Sequence, residues 1–147
     1  MNLVEEFLAL NSVKKREVHF ELCRNALLVL EKYFAENPVI EYVESVVGTS
    51  QKVDVDLPSD AFVAAFTGRD NLDVEKRFLE PVSAMQDDDL VFPDHIEFAY
   101  YAVYNLFQRY VSSREIDDWL IANQALSAEV NEENWVKLLK EAIEKVK

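Results

Sequence analysis

Residues 94–110 read DHIEFAYYAVYNLFQRY, and their spacing decides the fold class: Ile96, Ala99, Tyr100, Val103, Phe107 and Tyr110 recur three and four positions apart. That spacing lines side chains along one stripe of a helix, whereas a half-buried strand alternates with a period of two. Asp94 and Glu97 have the spacing of a capping box ahead of this helix. The same rhythm runs earlier through Phe20, Cys23, Leu27, Leu30 and Phe34. Leu22, Ala26, Val29 and Tyr33 widen that stripe, so this helix is expected to be covered on two sides.

Outward from these two segments the pattern stays helical. A short first helix over residues 3–10 is followed by Asn11 and Ser12 as a cap. Asn37 as cap and Pro38 at the first helical position predict a third helix ending near Val47, before Gly48. Residues 49–58 read as a loop. Ser59 and Asp60 are expected to cap a helix through Phe66 that Gly68 closes. Residues 71–79 form the next, and Pro81 is expected to start a separate short helix, because proline breaks a helix interior. Asp87, Asp88 and Asp89 then lie in a linker. A helix over residues 114–126 carries Ile116, Trp119 and Leu120. Asn131, Glu132 and Glu133 open the last, which is expected to bury Trp135, Leu138, Leu139, Ala142, Ile143 and Val146. The whole predicts an all-α single domain over residues 1–147, a bundle of about seven or eight helices.

Charge narrows the function. The chain carries 28 acidic and 15 basic residues, a net of -13, and residues 38–94 hold thirteen of the acids against four bases. Concentrated negative charge opposes binding to nucleic acid and to anionic membranes, whose partners rely on Lys and Arg. It suits a basic protein partner. The longest uncharged apolar runs, residues 61–66 and 98–104, fall far short of the roughly 20 residues of a membrane span. The first residues carry Glu5 and Glu6 in place of the basic leader of a signal peptide. One cysteine, Cys23, cannot form an internal disulfide, which fits a cytoplasmic setting.

Motifs for chemistry are missing. Gly48 and Gly68 stand alone, so no glycine-rich phosphate cradle is expected. His19 and Cys23 share a helix face four residues apart, but with only His95 beside them no zinc set is expected; they read as a boundary histidine beside a buried thiol. Asp54, Asp56 and Asp60 occupy positions 1, 3 and 7 of a calcium loop whose remaining positions, Pro58, Ser59 and Ala65, are wrong for it. No Glu and His stand three apart for a di-iron site, and the Gly48, Thr49, Ser50 run lacks the second glycine of a nucleophile elbow. The expectation is a protein that is not an enzyme, with no catalytic, metal or cofactor residues. Its candidate partner-binding residues are Asp87, Asp88 and Asp89 for charge, and Tyr101 and Tyr104 as aromatic anchors beside the buried stripe of their helix.

The acidic middle, the aromatic helix from Ala99 to Tyr110 and the terminal segment with Ile116, Trp119 and Trp135 resemble the small acidic all-helical immunity proteins of bacterial polymorphic toxin systems. The resemblance implies a cytoplasmic inhibitor that binds one cognate toxin domain, often a basic nuclease, and blocks its active site. Two other classes stand beside it: a regulatory or adaptor domain holding a peptide or protein partner in a helical groove, and an enzyme without a recognised motif.

Overall fold

The computed structural model describes all 147 residues. Seven helices follow in order: α1 (Leu3–Leu8), α2 (Ser12–Glu36), α3 (Leu57–Thr67), α4 (Leu72–Gln86), α5 (Asp94–Tyr110), α6 (Asp118–Leu126) and α7 (Glu132–Val146). Between α2 and α3 lie two short strands, β1 (Glu41–Val43) and β2 (Ser50–Lys52). The fold is the expected all-α bundle with one small hairpin added, and no helix is long and apolar enough to cross a membrane.

Asparagine and aspartate open most of the helices, because their side-chain oxygens reach backbone N–H groups that lack a partner in the first turn. Asn11 accepts from Lys14, Asn71 from Val74, Asp117 from Trp119 and Leu120, and Asn131 from Glu133 and Asn134. Asn2 and Glu5 complete a capping box on α1. Gly68 ends α3 with a left-handed φ of 68°, which a residue without Cβ adopts at no steric cost.

At the centre α5 packs against α2, α3 and α6, while α2 also touches α6, α7 and α3. The stripes read from the sequence are buried except at Tyr110 of α5 and at Val29 and Tyr33 of α2, which are half-buried. Phe20, Cys23, Leu27, Leu30 and Phe34 of α2 face inward, as do Ile96, Ala99, Tyr100, Val103 and Phe107 of α5. Phe78 of α4 meets Tyr100 edge-on (centroids 6.1 Å apart) and Phe107 at 5.7 Å, and Tyr100 stacks on Phe92 at 5.9 Å. Offset and edge-on aromatic pairs of this kind add to their area burial. On α7 only Leu139, Ala142 and Ile143 are fully buried; Trp135, Leu138 and Val146 are half-covered.

Six expectations differ from the structure. Residues 38–47 are not a helix. Val39, Ile40, Tyr42, Val43, Val46 and Val47 are β-branched or aromatic and pack well on a pleated surface. Glu44 turns its carboxylate onto the N–H groups of Val46 and Val47 (2.9 Å for the latter), binding locally groups that a helix would have used. Gly48 does adopt a left-handed φ of 79°, but inside a hairpin loop. The loop expected over residues 49–58 supplies β2 instead. At its end α3 starts at Leu57, with Pro58 in the first turn, so Ser59 and Asp60 are not its cap.

Pro81 lies inside a continuous α4. Its ring is buried in line with Val74, Phe78, Val82 and Met85, and that apolar face offsets the interior hydrogen bond that proline removes. Asp94 is the first residue of α5 and makes no cap bond; Pro93 holds the cap position. Finally, α6 begins at Asp118, four residues later than expected, because residues 111–117 form an irregular turn with Ser113 at φ 57°. Ile116 therefore lies in that turn, ahead of the helix.

Candidate protein-binding surface

Asp87, Asp88 and Asp89 make the reversal between α4 and α5. Asp87 closes α4, and Asp88 takes a left-handed φ of 58°, a conformation that short polar side chains tolerate. Both are exposed. Asp89 is different, and here the reading of the three as an unattached linker is corrected. Its carboxylate accepts from the Ser45 N–H (3.0 Å) and the Ser45 hydroxyl (3.0 Å), tying the hairpin loop to the end of α4. Asp89 therefore positions the hairpin, and only Asp87 and Asp88 are uncommitted.

A second tie lies three residues earlier. Tyr42 is the inward-facing residue of β1, and its hydroxyl donates to Glu80 of α4 (3.1 Å). Burial and the neighbouring carboxylates of Glu80, Asp89 and Glu44 push its phenol far above the usual tyrosine range. Glu44, Glu80, Asp87, Asp88 and Asp89 thus gather where the hairpin meets the α4–α5 turn, and none of them has a cation within ion-pair distance. Next to Ser45 stand Val46 and Val47, 81% and 79% exposed. The result is an apolar tip with an acidic rim.

Other acids of the middle segment are spent internally. Arg77 of α4 meets Asp54 (2.8 Å), Asp60 (2.9 Å) and Asp73 (3.3 Å), joining the loop before α3 to α3 and α4. Burial alone would lower the guanidinium pKa, but hydrogen bonds and charge from Asp54 and Asp60 raise it instead. The excess acidity of residues 38–94 is therefore unevenly available: Asp56, Asp70, Glu75, Asp87, Asp88 and Asp94 are left without an ion-pair partner, and Asp87 and Asp88 are the two of these that adjoin the tie between Asp89 and the hairpin.

Tyr101 and Tyr104 form a separate place on α5. Both are half-buried, short of the free exposure expected of anchors: Tyr104 rests on Phe78 (4.9 Å), and the two rings meet edge-on at 6.5 Å. Burial pushes both phenols up. Tyr101 also lines a shallow groove of about 420 Å³ with Asp94, Glu97, Phe98 and Gln124. No hydrogen bond or ring contact joins either tyrosine to the aspartate turn.

His19 is fully buried, not at a boundary. Its Nε2 lies 2.8 Å from the Asp118 carbonyl, which can only accept, so Nε2 carries the proton and Nδ1 accepts from the Tyr110 hydroxyl at 2.7 Å. The Asp118 carboxylate in turn binds Arg109 (2.6 Å) and Lys15 (3.4 Å). Cys23 is buried with Sγ directed to the Ala102 carbonyl. Both ring nitrogens and the thiol serve the core, and no three His, Cys, Asp or Glu side chains converge in a metal-binding arrangement.

The role given to Asp89 has a direct check. Asp89→Ala should leave the helical spectrum intact while raising amide hydrogen exchange in residues 41–52 about tenfold, since two hydrogen bonds to a charged acceptor close the hairpin loop. Unchanged exchange would mean that Tyr42 alone holds the hairpin. No protein-family model matches the chain, and neither the search of curated proteins nor that of solved structures found a match.

Proposed function

We propose that this chain is a non-catalytic binding protein that takes a basic protein partner on the acidic face around the hairpin, as an immunity protein takes its cognate toxin domain. The observation that supports this reading most is the acidic turn, exposed Asp87 and Asp88 followed by Asp89 on Ser45, beside the exposed Val46 and Val47 of the hairpin loop. An apolar centre with a charged rim is the usual anatomy of a protein interface. The rim steers a cationic partner by long-range attraction, and the valines lose water once contact is made. In the toxin–immunity form of the reading, capture takes place in the bacterial cytoplasm, and inhibition follows from covering the toxin's active site.

The test is binding kinetics against a basic toxin domain encoded beside this chain, or against a panel of basic nucleases, at two ionic strengths. Joint Asp87→Asn and Asp88→Asn replacement should slow association about threefold or more at low salt and flatten its salt dependence. Asparagine keeps the left-handed turn at position 88, so the fold is preserved. Tyr101→Ala should instead raise the dissociation rate about tenfold if α5 joins the contact. Association unchanged in the double variant would remove the aspartate turn from the interface. A peptide-holding adaptor is the second reading, supported by the groove in which Phe98, 43% exposed, stands beside Tyr101.

A further inference from the structure

The register pairs Glu41 with Lys52, Tyr42 with Gln51 and Val43 with Ser50. Flanking them, the Glu44 N–H donates to the Thr49 carbonyl and the Val53 N–H to the Ile40 carbonyl, both at 2.9 Å. Antiparallel ladders alternate between pairs that exchange hydrogen bonds and pairs that do not. The pairs 44/49, 42/51 and 40/53 are thus the bonded ones, and 41/52 and 43/50 are not. Backbone N–H and C=O groups of Glu41 and Val43 point away from β2, along the free edge of β1. Ser45 has the same phase, and its outward N–H is the one that Asp89 takes up. Nothing takes those of Glu41 and Val43.

Side chains repeat the arrangement. Val39, Glu41 and Val43 share the outer face, with Val39 and Val43 68% and 59% exposed on either side of the carboxylate. Open edges attract further strands, and proteins commonly guard them with lysine, proline or a covering loop. On β2 Lys52 is such a guard, and its ammonium also reaches across the pair to the Glu41 carboxylate at 3.9 Å, an exposed ion pair of little strength. The β1 edge itself carries Glu41 and no basic residue, so a partner's cation can exchange with Lys52 for that exposed carboxylate.

We propose that the free edge of β1 takes an extended segment of a basic protein partner by strand addition, an inference that rests on the reading of the acidic face as the partner surface. Backbone pairing at Glu41 and Val43 supplies attraction independent of sequence. Glu41 between two valines selects a segment with a Lys or Arg between apolar residues.

Three capped heptapeptides test this, with titration and residue-resolved amide exchange on the full chain: alternating Lys and Val, alternating Glu and Val, and the Lys–Val peptide methylated on each backbone nitrogen. The Lys–Val peptide should bind and protect the Glu41 and Val43 amides, and methylation should weaken binding about tenfold or more, as loss of two backbone hydrogen bonds implies. Val43→Pro should weaken it similarly, because the N–H it removes makes no bond inside the hairpin. Equal binding of the methylated peptide would overturn strand addition and leave the acidic-face reading standing. Equal binding of the Glu–Val peptide would overturn that reading as well. Protection of Glu41 and Val43 that rises with protein concentration alone would assign the edge to a second copy of this chain and overturn the basic occupant.

Discussion

Phe107→Ala is expected to lower the free energy of unfolding by about 3 to 5 kcal/mol, the range for deleting a fully enclosed phenyl ring from a core that only partly closes around the cavity. Phe107 is 1% exposed and sits against Phe78 on α4, in the same ring cluster as Tyr100. Losing it removes contacts that join α4 to the central helix. Chemical denaturation followed by circular dichroism measures the change. A loss below about 0.5 kcal/mol, typical of surface positions, would mean that this face of α5 is not enclosed.

Stability should also fall as pH is lowered from about 6.5 toward 4. Burial holds the His19 pKa down at about 4, outweighing the raising effect of the Asp118 carbonyl and charge. An unfolded chain binds that proton near pH 6.5, so between the two values the unfolded state holds more protons and acid favours it. The full effect is roughly 3 kcal/mol, present above pH 6.5 and lost by about pH 4. Asp118 adds to it at lower pH: burial alone would raise its carboxyl, but Arg109 holds it below the usual range, so that contribution is lost as the acid form appears. Denaturation midpoints at pH 7, 6 and 5 isolate the histidine. His19→Gln, less stable at pH 7, should show a nearly flat profile over that range; a wild-type profile equally flat would contradict the burial of His19 as a neutral ring.

The helical stripes of α2 and α5 were legible in the sequence because each long helix buries one face, and burial at three- and four-residue spacing survives whatever the helix packs against. Caps at Asn11 and Asn131 and the end of α3 at Gly68 were legible for a related reason: their bonds close within a few residues. The hairpin was not. Residues 38–48 hold a short apolar run with no stripe, Pro38 and Gly48 punctuate strands as readily as helices, and no local rule separates the two.

Of the candidate residues, the sequence marked the aspartate triplet and the aromatic helix by composition and period. It could not distinguish Asp89 from Asp87 and Asp88, since the difference is a serine 44 residues away. Nor could it enclose His19, whose partners lie 91 and 99 residues further on. Pro81 teaches the same lesson in reverse: local chemistry says break, and a buried face on both sides of the ring keeps α4 whole. Periodicity and composition alone were therefore enough for the helical class, most of the buried faces and the sign of the surface charge. Packing settled which carboxylates are spent on the fold and which are left without a partner, because each such pairing depends on a distant group brought near.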